Sequence, residues 1–280
     1  MASNELTDKY LSDICEFKTK FSYLIKDTLQ PNYTDIASPY LNCIIAYCVS
    51  IAELTNQFSL IQQHKMFASS LIVSRSIFEE AAIINTLIKE KKDNLKSNFY
   101  KYLFIQDMYQ DLRINKAWKS SSTDYWRRIH SLLLKEFPSE LQNKNIRLFS
   151  QNPDSFSGYS TSEQNDLDEI VSNLRKMKCY NYYPTALCAD LFDNVYSKTD
   201  MATIDVQSEA KCDIKAIYGL LCHYSHSNLS AIDDLHFIKG ESTIPKICYN
   251  KEINNNNKVV LQWMKYTLDY IYIKLKDETV

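Results

Sequence analysis

Three glycines in a chain of 280 residues leave the backbone almost no sites where it can turn through positive φ without steric cost. Sandwiches and barrels need such sites at turn after turn, and phosphate-cradling loops need them in clusters. Six prolines add few further breaks. The fold class expected is therefore all-α: a single-domain multi-helix bundle with few connections. An apolar fraction of 45 % is sufficient to fill its core without help from a disulfide or metal.

The helices can be placed along the chain. Leu6, Tyr10, Ile14, Phe17, Phe21, Ile25 and Leu29 recur at steps of three and four, which predicts an N-terminal helix over 1–30 ending at Gln30-Pro31. A first helical layer covers 38–137. Ser38-Pro39 opens its first helix, with Leu41, Ile44, Ile45, Cys48, Ala52 and Thr55 as the buried face. The next helix, roughly Lys65 to Lys89, holds only Arg75, Glu79 and Glu80 as charges between Met66 and Ile88, so burial nearly all round is expected. Two tyrosine- and tryptophan-bearing helices follow, around Phe99 to Leu112 and Thr123 to Phe137.

From 138 to 160 the pattern dissolves into SQNPDSFSGYS, read as an exposed loop. A second layer over 161–228 contains a helix to Tyr180, a short one from Pro184 to Tyr196 and a last one from Ala210 to Asn228. Residues 229–257 mix short apolar runs with Gly240, Pro245 and four asparagines, as an irregular or hairpin arm would. A C-terminal helix within 258–280 closes the bundle or forms a dimer seam.

A formal charge of −2 spreads no basic field over the surface, which argues against non-specific binding to nucleic acid or anionic lipid and leaves only a local groove. Arginines stand only at 75, 113, 127, 128, 147 and 175, so a bidentate grip on phosphate or carboxylate has few sources. Eight cysteines lack a repeated Cys-x-x-Cys, and the opening MASNELTDKY lacks a leader pattern, so a reducing cytoplasm is expected. No uncharged apolar run approaches the length of a bilayer span, and no membrane association is expected. Abundant Lys, Asn, Ile, Tyr and Phe with scarce Gly, Pro and Arg is what AT-rich codons produce, and fits a horizontally mobile microbial gene.

The stretch AKCDIKAIYGLLCHYSHSN, residues 210–228, concentrates two of the five histidines, His223 and His226, with Tyr218 and Cys222. On the earlier apolar helix, Arg75 and Glu79 are four apart and share a face, where they can pair. Zinc is a poor match, because helical two-histidine sites use an i,i+4 pair and His223 and His226 are i,i+3. Cys222 on an apolar helix reads as packing rather than as a nucleophile. No cofactor and no metal is therefore assigned.

Metal-independent cleavage of RNA suits the residue types better. A histidine can exchange the 2′-hydroxyl or leaving-group proton, an arginine can hold the phosphate, and a tyrosine can orient or stack. His226, Arg75, Glu79, Tyr218 and His223 are the candidate catalytic set. The alternative is a polar seam, with Arg75 and Glu79 bonded to Tyr218 or His226 and locking two helices of a non-catalytic sensor or interaction protein.

Arg75-Ser76-x-x-Glu79 and the later Tyr218-x-x-Leu221-Cys222-x-x-Ser225-His226 resemble the paired motifs of a bacterial all-helical family of unknown function, across roughly Ser38 to the C-terminus. Serine is usual at the Cys222 position in that pattern. More remotely, helices with a late histidine motif are similar to the HEPN superfamily, which includes dimeric RNases of toxin–antitoxin and antiviral systems. The superfamily's arginine shortly before its histidine is missing here, so the resemblance implies a contribution from Arg75 on another helix. It further implies a cytoplasmic homodimer acting on RNA in bacterial defence or as a toxin, with a partner protein encoded nearby.

Overall fold

The computed structural model describes residues 2–29, 38–63, 67–91, 184–198, 237–238, 246–247 and 255–278, together with Phe99, Leu103, Asn165, Glu169, Tyr218, Gly219, Leu221, Cys222 and Ser225. The chain divides into two compact units, one of Met1–Asp93 with Tyr182–Val280 and one of Asn94–Asn181. Phe99, in the second unit, is buried and helical, and the 138–160 loop expected in that unit lies outside the described residues.

The first unit is a helical bundle. Its α1 spans Ala2–Leu24 and continues into a π-helical turn, Ile25–Leu29. Ile14, Phe17, Phe21 and Leu24 are buried at steps of three and four, as one face of a helix requires. Ile25 is buried immediately after Leu24, so the apolar stripe shifts by one residue where the helix widens to i→i+5 bonding. Pro31, which has no N–H to donate, follows shortly after.

Helix α2 is Ser38–Gln63 and α3 is Phe67–Lys91. Ile44, Cys48, Ile51, Thr55 and Phe58 form the buried face of α2, which packs against both α1 and α3. Cys43–Gln62 is the one segment among the described residues with the length and apolar composition to cross a bilayer. Glu53 lies within it, and here its apolar face is bundle core.

On α3, Leu71, Ile77, Phe78, Ala81, Ala82, Ile84, Leu87 and Ile88 are buried, together with Ser70, Ser74 and Asn85. Burial on several sides agrees with the scarcity of charge between Met66 and Ile88, although Ile72 is exposed. It packs against α2, against α4 (Pro184–Lys198) and against α5 (Asn255–Glu278). Helix α5 also packs on α1 and α4 through Val260, Leu261, Met264, Leu268, Ile271 and Leu275, and so closes this bundle. In the 229–257 arm a short antiparallel ladder pairs Phe237 with Ile247 and Ile238 with Lys246.

Aromatic residues join three helices behind the polar site. Phe192 of α4 meets Phe78 of α3 edge-on, with centroids 5.3 Å apart, and Trp263 of α5 at 5.8 Å. Tyr218 adds a fourth ring at 6.4 Å from Phe192. Such edge-to-face pairs add directional preference to area burial, and here the Phe192 ring holds Tyr218 against α4.

Candidate functional site

Arg75 and Glu79 lie one turn apart on α3, and the Arg75 Nε donates to Glu79 Oε1 at 2.8 Å. Their side chains are 18 % and 27 % exposed, so the pair is shielded but not sealed. The Tyr218 hydroxyl donates to the same Oε1 at 2.6 Å. One carboxylate oxygen thus accepts from a guanidinium one turn away on the same helix and from a phenol 139 residues away in sequence.

A second bond joins the same two regions. Arg75 Nη1 donates to Ser225 Oγ, and Ser225 Oγ donates to the Cys222 carbonyl at 3.0 Å. Tyr218, Leu221, Cys222 and Ser225 are helical, and their spacing of three, one and three residues keeps them on neighbouring points of one side. Tyr218 at 2 % exposure and Leu221 face the core, while Cys222 and Ser225 are half-buried toward its edge.

The charges follow from this geometry. Burial pulls the Arg75 pKa down, but the hydrogen bond to Glu79 and the Glu79 charge outweigh it, and the net shift is upward. Arg75 is therefore a fixed cation. Burial is also the main cause that raises the Tyr218 pKa, followed by its hydrogen bond to Glu79, so the phenol keeps its proton and acts as a donor. Cys188 of α4 is buried beside this group, and burial followed by the Glu79 charge pushes its thiol up. A protonated, enclosed thiol is poor at both nucleophilic attack and metal binding.

Of the five residues expected at the site, Arg75, Glu79 and Tyr218 come together. His223 and His226 lie outside the described residues. Sequence alone gives Ser225 no role, although it lies within the Tyr218–His226 motif, seven residues beyond Tyr218. Among the described residues no three His, Cys, Asp or Glu side chains gather as metal ligands would.

A separate carboxyl lies on another side of α3. Glu80 Oε1 accepts from Ser50 Oγ of α2 at 2.8 Å, and its Oε2 is buried with no hydrogen-bond partner among the described residues. Burial is the largest cause that pushes the Glu80 carboxyl up to about 6, and the neighbouring Glu79 charge adds to it. Consecutive residues on a helix point about 100° apart, so Glu79 serves the Tyr218 side and Glu80 the α2 side.

Against protein-family models, curated proteins and solved structures, the chain shows no significant match.

Proposed function

We propose that this chain is a HEPN-like, metal-independent ribonuclease or nucleic-acid-processing effector of a bacterial defence or toxin system, working as a cytoplasmic homodimer. The observation that supports it most directly is the bond from Arg75 to Ser225, because Ser225 immediately precedes His226 in sequence. A shielded arginine that stays cationic suits the charge that builds on a phosphodiester in the transition state. Glu79 and Tyr218 hold that arginine in place.

In this reading the RNA 2′-hydroxyl attacks phosphorus, the P–O5′ bond breaks, and a cyclic phosphate and a free 5′-hydroxyl result. One histidine accepts the 2′-hydroxyl proton and the other returns a proton to the 5′ oxygen. His226 and His223 are proposed for these roles, and Arg75 for holding the non-bridging oxygens.

A second reading has its own support. Tyr218 is 2 % exposed and its hydroxyl is committed to Glu79, as in a polar seam that locks helices of a non-catalytic sensor or interaction protein. The deciding experiment incubates wild type, His226→Ala, His223→Ala and Arg75→Ala with total RNA in EDTA and records the melting temperature of each. Cleavage lost in variants that melt like wild type supports the ribonuclease. Absence of cleavage by wild type, with a large fall in melting temperature on losing Arg75, sinks it in favour of the seam.

A further inference from the structure

We propose that Ser225 is a positioning residue that fixes the orientation of the Arg75 guanidinium; this rests on the ribonuclease reading and adds to it the residue that sets where the cation sits. The hydrogen bonds of Ser225 run in fixed directions. A serine hydroxyl has one proton and two lone pairs. Ser225 gives its proton to the Cys222 carbonyl, a bond of 3.0 Å within its own helical turn. The oxygen is left as an acceptor, and Arg75 Nη1 donates to it.

The other side of the guanidinium is fixed independently. Nε donates to Glu79 Oε1 at 2.8 Å, and Glu79 is in turn held by the Tyr218 hydroxyl at 2.6 Å. A planar group bonded through both Nε and Nη1 cannot rotate about its last side-chain torsion without breaking one of the bonds. Glu79 alone fixes the distance of the cation along α3. Ser225 adds the orientation, and does so from the residue next to His226. Alanine at 225 removes the acceptor, whereas threonine retains a hydroxyl that makes the same two bonds.

The test follows Arg75 directly. Wild type, Ser225→Ala, Ser225→Thr and Ser225→Val are treated with an arginine-selective dicarbonyl, and modification of Arg75 is timed by mass spectrometry on protein that melts cooperatively. The same four proteins are assayed for RNA cleavage in EDTA. Alanine and valine should expose Arg75 to modification several times faster than wild type and lower kcat by about ten- to a hundredfold, with KM little changed. Threonine should restore both values.

Threonine and valine have nearly the same shape, so their comparison isolates the hydroxyl even if the alanine variant fails to fold. Equal modification rates in wild type, valine and threonine variants would overturn the proposal, as would faster modification with undiminished cleavage. If wild type does not cleave RNA at all, the ribonuclease reading fails. In that case the modification rates still decide whether Ser225 holds Arg75.

Discussion

The Tyr218 hydroxyl and Glu79 Oε1 are 2.6 Å apart although the residues are separated by 139 positions in the chain. The short bond ties Tyr218 to α3 on a different side from the one where Ser50 of α2 meets Glu80. Tyr218→Phe retains the ring against Phe192 and removes only the donor. Glu79, which is partly buried, then loses one of its two donors among the described residues, and the expected cost is about 1–3 kcal/mol, the range for leaving a shielded acceptor without a donor. Chemical denaturation with an unchanged m-value checks this; a loss under a few tenths of a kcal/mol would mean that water replaces the phenol freely.

Glu80 predicts a pH dependence of stability. Its carboxyl rises from the ordinary 4.5 to about 6, chiefly through burial against α2. A raised pKa in the folded state means that the folded protein binds the proton more tightly than the unfolded chain. The stabilisation is fully present below pH 4.5 and is lost as the pH rises through 6. After allowance for solvent screening of a partly exposed group it amounts to about 1 kcal/mol. Glu80→Gln should raise the melting temperature at neutral pH and flatten the slope across that window. Ser50→Ala, by removing the donor that favours the charged form, should shift the same transition to higher pH.

Much of this arrangement is legible in the sequence, and the rest fails for identifiable reasons. The Arg75–Glu79 pair can be read because i,i+4 spacing puts both side chains on one face whatever surrounds them. The all-α character follows from glycine scarcity, and the buried faces of α1, α2 and α5 follow from their apolar periods. Which helix meets Arg75 is not local information: it depends on Phe78, Phe192 and Tyr218 packing their rings together. Ser225 escapes notice because a helical serine has no role until its facing partner is known. The π turn at Ile25–Leu29 is hidden because steps of three and four do not specify i→i+5 bonding at a helix end. Helix α5 begins at Asn255 rather than near Lys258, since asparagines contribute nothing to an apolar stripe.

Asp190 should matter more than its ion pair suggests. It meets Lys89 at 2.6 Å, but both side chains are nearly half exposed, at 49 % and 44 %, and such a surface pair contributes under about 1 kcal/mol. Asp190 Oδ2 also accepts from the Asn85 amide at 3.2 Å, and Asn85 is buried on α3 with its Oδ1 facing the Tyr270 hydroxyl at 3.4 Å. Asp190→Ala removes this acceptor from a buried amide at an expected cost of about 1–3 kcal/mol, and Lys89→Ala should cost much less. Adding salt should diminish the effect of losing Lys89 while leaving most of the effect of losing Asp190.

Phe192 links stability to the site most directly. Its ring touches Phe78, Trp263 and Tyr218 with centroid distances of 5.3, 5.8 and 6.4 Å, and it is almost completely buried. Phe192→Ala opens a cavity where α3, α4, α5 and Tyr218 meet, and a loss of about 3–5 kcal/mol is expected. Phe192→Leu fills much of that volume without a ring and should cost less. The wall behind Tyr218 is removed in the alanine variant, so its phenol should no longer be held at Glu79. Arg75 should then react faster with a dicarbonyl in Phe192→Ala than in Phe192→Leu, even where both remain folded. Equal reactivity in the two variants would show that Glu79 and Ser225 hold the guanidinium without support from the aromatic cluster.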